Sequence, residues 1–250
     1  MSQRHEIIGI KQVLRLEWLE KTSHLLLAGL NDKIIRQELH EYVAMRMGNG
    51  KSADRGTTSR TQVVNMLMKI WVSPESELLS FTTAALKTIQ IYPQSAISIH
   101  WAMISAAYPF WYNTALQIGR LLNLQEQVTQ SQIINRLKEQ YGDRQTVSRY
   151  ARNVIRSFVA WGLLIDSKEK GSYEKTKSPI TIDKKMTNLL LEASLHSIPE
   201  GKSSINILLS SPAFFGFQLP VITGDEISQN NNRIDVIRYS LDEELLILKP

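Results

Sequence analysis

The sequence contains no cysteine. That absence removes disulfides, thiolate metal sites and cysteine nucleophiles together, and it suits a reducing cytosol, so a cytoplasmic location is expected. Long apolar runs are missing too. Nothing approaches the ~18 consecutive apolar residues that a membrane-spanning helix needs, so no membrane partner is expected. The opening Met1-Ser2-Gln3-Arg4-His5-Glu6 does not read as a secretory signal peptide. No internal repeat or low-complexity tract occurs. What remains is the composition of a globular chain: 250 residues, 43% hydrophobic and 21% charged. That length holds one large domain or two to three small ones.

Catalytic patterns are equally scarce. Gly50-Lys51-Ser52 resembles the end of a phosphate-binding loop, but Met45 stands where the pattern needs its first glycine. The loop also follows a helical stretch, whereas the nucleotide fold enters from a strand. His5, His24, His40, His100 and His196 are scattered. His40-Glu41 lacks the second histidine of a zinc hydrolase, because that position is Ala44. Asp183 with Pro199-Glu200-Gly201-Lys202 echoes an acid-x-Lys nuclease core. Such a core holds a metal with acids at the ends of paired strands, and this region reads as helix then loop. No Gly-x-Ser-x-Gly elbow is present. A non-enzymatic protein without metal or cofactor is expected.

The informative stretch is 129–182, which reads as a winged helix-turn-helix. Thr129 can cap a helix whose Gln132 reaches back to close a capping box. Ile133, Ile134, Leu137 and Tyr141 then recur at helical spacing. Gly142-Asp143 breaks this helix and a second begins within a few residues, the short turn that the DNA-binding motif requires.

The second helix, about 146–161, carries two faces. Val147, Ala151, Val154, Phe158 and Trp161 make a core stripe. Arg149, Arg152, Asn153 and Arg156 make another, with Gln145 and Ser148 at the exposed N-terminal end. Aligned cations repel one another, a cost that a phosphate backbone would offset. Arg, Asn and Gln also read base edges. Gly162 ends the helix in a left-handed cap. Leu163-Leu164-Ile165 predicts a strand, 167–172 a polar tip with Lys168 and Lys170, and 173–182 a returning strand.

Between Val128 and Lys185 there are 12 Lys/Arg against 6 Asp/Glu, a net of +6, while the whole chain is +5. The basic excess is therefore local, as in a nucleic-acid footprint. The expected contacts are Gln145, Ser148, Arg149, Arg152, Asn153 and Arg156 in the major groove of double-stranded DNA, with Arg144, Lys168 and Lys170 on phosphates. A protein-docking module with a solvated arginine face is the bland alternative.

Upstream, helices are expected from about Lys11 to Leu30, from Asn31-Asp32 to Met47, from Thr58 or Ser59 through Trp71, and from Ser73 to Ile91. A very apolar segment spans 96–108, and Phe110 to Leu122 supplies the first helix of the winged module. Arg46, Lys51, Arg55 and Arg60 surround the polar loop at 48–58, a candidate second phosphate contact beside a helix N-terminus. That surface is also where an RNA-binding alternative would lie. Downstream, a helix is expected over 183–197 with Met186, Leu189, Leu190 and Ala193 inward. A short helix is expected near 212–215, and paired strands at 234–239 and 245–248.

The order of these elements is similar to the small BREX phage-defence protein A family. The resemblance rests on a helix ending in Leu27-Ala28-Gly29-Leu30, a helix from Asp32 and a variable loop. A capped helix at Thr58-Ser59-Arg60, a helix from Ser73 and the winged helix complete it. It covers about the first two-thirds of the chain. It implies a helical N-terminal part, sometimes compared with RNA-binding antitermination factors, joined to a winged helix, with DNA binding and a role in defence beside other defence-system proteins. The expected architecture is mainly α: an N-terminal helical bundle over 1–108, a winged helix-turn-helix over 109–182, and a small α+β part with a β-hairpin over 183–250.

Overall fold

A computed structural model describes residues 3–45, 55–239 and 243–249. It is mainly helical, with small sheets toward the C-terminal half. Helix α1 (Leu16–Leu27) ends at Ala28, followed by Gly29 with φ +74°. Asn31 then accepts a hydrogen bond from the Ile34 amide at 3.1 Å at the start of α2 (Asp32–Met45). Helix α2 buries Ile35, Leu39 and Val43 and leaves Ile34 exposed. Helix α3 (Thr57–Leu67) runs into one π-helical turn, Met68–Val72, that buries Ile70 and Trp71.

The helix expected from Ser73 starts later. A 3₁₀ turn, Ser76–Leu78, precedes α4 (Leu79–Ile91). Glu75, just before this turn, holds Lys69 at 2.7 Å. Helix α5 (Ala96–Ala107) and α6 (Pro109–Leu122) follow, with Pro109 in the first turn of α6, where its missing N–H costs nothing.

Next come β1 (Gln127–Thr129), α7 (Gln130–Tyr141), α8 (Gln145–Ala160), β2 (Leu164–Asp166), β3 (Ser172–Lys175) and β4 (Ile180–Thr181). The C-terminal part contains α9 (Lys184–Ser197), β5 (Lys202–Ser204), α10 (Ile205–Leu209), β6 (Phe217–Gln218), α11 (Gly224–Asn230), β7 (Ile234–Arg238) and β8 (Glu244–Leu248). Strand β3 pairs antiparallel with β1 on one side and β2 on the other. Strands β5, β8 and β7 form a second antiparallel sheet, and β4 pairs parallel with β6. The strand expected to return continuously to Ile182 therefore stops at Lys175, and its last residues join the C-terminal part. The β7–β8 hairpin is present, with 240–242 of its connection outside the described residues.

Two helices make the centre. Helix α5 is buried from Ser98 to Ala107, and α9 from Met186 to Ser197. The two pack against each other. Helix α9 was expected to bury one face; being covered all round, it is a core helix. Its Glu192 is fully buried and receives Arg233 at 2.6 and 2.8 Å and Asn231 at 2.7 Å. These charge-assisted bonds stand in for the water the carboxylate has lost, and they tie the residues just before β7 to α9.

Aromatic edges join the layers. Trp111 on α6 meets Phe158 and Trp161 with ring centroids 4.6 and 5.4 Å apart, and Trp101 on α5 meets Phe214 at 5.4 Å. Gly119 lets α6 approach the 212–214 turn closely: a Cβ there would lie 1.8 Å from the Pro212 carbonyl oxygen.

The N-terminal segment departs most from the expected helix. Residues 10–14 form no helix and cross α8 as an irregular strap. Three of its backbone groups are held by side chains of α8 and of Trp161 just beyond it. Leu14 N–H donates to Ser157 Oγ at 2.9 Å, and Trp161 Nε1 donates to the Leu14 carbonyl at 3.0 Å. Buried backbone groups need such partners when no helix supplies them. No helix of the described residues is long and apolar enough to cross a membrane.

Candidate nucleic-acid interface

Helix α7 begins as its sequence dictates. The Thr129 hydroxyl accepts from the Gln132 amide at 3.2 Å, and the Gln132 side chain accepts from the Thr129 amide at 2.8 Å. Gly142, at φ +84°, ends it, and α8 starts at Gln145. Val147, Ala151, Val154, Phe158 and Trp161 are all buried. Gly162 closes α8 at φ +73°, and its amide donates to the Val159 carbonyl at 3.0 Å. Residues 167–171 join β2 to β3 as a tight turn held by Ser167 N–H to Ser172 O at 3.0 Å.

The cationic side chains divide into engaged and disengaged groups. Arg149 and Arg152 are exposed on the first half of α8, and neither has an acidic partner among the described residues. The Arg149 guanidinium lies 5.1 Å from the centre of the Tyr150 ring, a contact that orients it without cancelling its charge. No side chain caps the first turn of α8, and no acid lies in it, so the positive end of the helix adds to these charges. Gln145, Ser148, Arg149 and Arg152 line an open groove of about 510 Å³, with Lys138 and Asp143 on the α7 side. Lys138 and Asp143 neutralise each other at 2.7 Å.

Arg144 donates to the Tyr141 carbonyl at 2.9 Å and remains exposed. Lys168 and Lys170 are exposed at the tip between β2 and β3.

Two of the expected groove contacts have other work. Asn153 is half-buried and donates to the Ile10 carbonyl at 3.0 Å. Arg156 pairs with Asp166 of β2 at 2.5 Å. Partial burial lowers the pKa of Arg156, and Asp166 and Tyr173 more than reverse that, leaving it raised.

Of the second candidate surface, Arg46 and Lys51 lie outside the described residues. Arg55 packs over the indole of Trp18 at 4.9 Å. Its pKa is lowered by burial and by the neighbouring Arg15 charge. Arg60 is half-buried on α3, and its Nε has no hydrogen-bond partner among the described residues.

Sequence patterns did not single out Lys11, within the strap, or Arg15, which follows it. Their only local signal is their place at the edge of an apolar run. No known family profile matches the chain, and no curated protein or solved structure is significantly similar to it.

Proposed function

We propose that residues 109–182 act as a winged helix-turn-helix that binds double-stranded DNA, with α8 entering the major groove. The observation that carries this reading is the pair Arg149 and Arg152, exposed and without acidic partners among the described residues, beside Gln145 and Ser148. Arginine reads guanine edges bidentately, and glutamine reads adenine. Asn153 and Arg156, held by Ile10 and Asp166, leave the base-reading set, and the first two turns of α8 remain. Lys168, Lys170 and Arg144 contact phosphates.

The protein acts in this reading as a non-enzymatic, cytoplasmic DNA-binding subunit. The helix-order resemblance to the BREX family supports a role in phage defence beside other defence-system proteins.

The test is fluorescence anisotropy of labelled duplex over a salt series, for wild type and Arg149→Ala/Arg152→Ala. Loss of these two base-facing arginines should weaken binding, whereas Lys168→Ala/Lys170→Ala should lower the slope of log K against log salt by about 0.9 per lost phosphate contact. Equal affinity in the arginine variant would move the interface off α8. Preference for single-stranded RNA over duplex would favour the Arg55 and Arg60 surface instead.

A further inference from the structure

The strap brings the two basic surfaces, far apart in sequence, next to each other. Asn153 lies on α8 between Arg152 and Arg156, and it holds the carbonyl of Ile10 at 3.0 Å. The next residue, Lys11, is exposed and has no ion pair among the described residues. Gln12 then donates to Gln62 of α3 at 2.8 Å, which seats α3 against the strap. Leu14 is bonded to Ser157 and Trp161.

Arg15 follows, and its guanidinium lies 5.8 Å from the Trp18 ring that Arg55 also covers at 4.9 Å. Glu17 lies 3.7 Å from Arg15. Two guanidiniums on one indole repel each other, and a buried Nη1 of Arg55 has no hydrogen-bond partner among the described residues.

Resting on the DNA-binding reading above, we propose that the duplex held by α8 continues onto Lys11, Arg15 and Arg55, which contact its phosphate backbone beyond the groove that α8 occupies. Distance supports a separate set of phosphates. The strap runs along α8, with Ile10 at Asn153 and Leu14 at Ser157 and Trp161, and from Gln145 to Trp161 the chain rises about 24 Å. A cationic path of that length exceeds the ~12 Å width of the major groove. The side chains at its far end therefore meet an adjacent stretch of backbone. Like-charge repulsion on Trp18, unfavourable in the free protein, is relieved when phosphate comes between the guanidiniums.

The experiment compares duplexes of about one and about two helical turns (~10 and ~21 bp) in anisotropy salt series. A longer duplex offers more binding registers, which raises affinity but leaves the salt slope unchanged. The slope therefore discriminates. Wild type should gain about 2 to 3 in slope on the longer duplex, near 0.9 per added phosphate contact. Lys11→Ala/Arg15→Ala/Arg55→Gln should lose that gain and bind the short duplex as wild type does. Arg55→Lys in the otherwise wild-type chain should keep it, because the charge remains; loss there would mean that Arg55 acts through Trp18 packing. A wild-type slope that does not grow with length overturns the extended surface and leaves α8 standing. Failure of wild type to bind either duplex overturns the α8 reading itself.

Discussion

Asn153, in the middle of the cationic face of α8, donates its Nδ2 hydrogen to the carbonyl oxygen of Ile10 at 3.0 Å. A side chain suited to adenine recognition thus fastens the N-terminal strap. Asn153→Ala should cost about 1 kcal/mol of stability, the usual net value of one partly buried hydrogen bond, read as a shift in the urea midpoint. Sequence preference on DNA should not change. A changed preference with an unmoved midpoint would make Asn153 a base reader after all.

Arg156 and Asp166 are about half exposed, at 47% and 54%. Water screens such a pair, so a double-mutant cycle with Arg156→Ala and Asp166→Ala should return about 0.2–1 kcal/mol of coupling. In the same variants, Arg152→Ala should weaken duplex binding more than Arg156→Ala. The reverse order would place the DNA toward the C-terminal end of α8.

Gly119→Ala puts a methyl group 1.8 Å from the Pro212 carbonyl oxygen. Backbone on both sides must move, and overpacking of this kind costs about 3 kcal/mol or more. Thermal unfolding should show a large drop in Tm. Gly162→Ala, strained by φ +73° but open in space, should cost about 1 kcal/mol. Similar losses at the two positions would mean that α6 and the 212–214 turn can separate freely.

His100 and His196 give a pH dependence of definite sign. Burial drives both imidazoles from the ordinary 6.5 down to about 3. His24 adds to the effect at His100, and Arg4, Arg233 and His5 add to it at His196. The folded state keeps them neutral while the unfolded chain protonates them below about 6.5. Their contribution is thus complete above that pH and is lost on acidification toward 3, at about 1.4 kcal/mol per pH unit for each histidine. His100→Leu should flatten part of that slope in urea unfolding at pH 4 to 7. No change in slope would show that His100 titrates alike in both states.

The α7–turn–α8 unit was legible because its signals are local. The capping pair Thr129 and Gln132 lies within one turn, and the α8 stripe repeats often enough to fix which face is inward. The strap was not, because Val13, Leu14, Leu16 and Trp18 mimic helical spacing. The bonds that hold residues 10–14 extended come from Asn153, Ser157 and Trp161, more than a hundred positions away. Strand β1 was missed for a similar reason: three residues become a strand only through pairing with β3. Helix α11 carried a local signal, the Thr223–Glu226 capping box, hidden in a polar stretch without apolar periodicity. The buried setting of Glu192 depends on Arg233 and Asn231, which no spacing rule connects to it. On the polar face of α8, the helical spacing did not show that Asn153 is taken by Ile10, 143 positions away, or that Arg156 is taken by Asp166 of β2.

The strap also sets an order of events during synthesis. Ile10 and Leu14 leave the ribosome some 143 to 147 residues ahead of the side chains on α8 and at Trp161 that hold their backbone groups. Until then the first helices carry an unsatisfied edge and cannot lock. Closure of this long loop is slow relative to helix formation, and a nascent chain halted before α8 is an exposed client for chaperones and proteases.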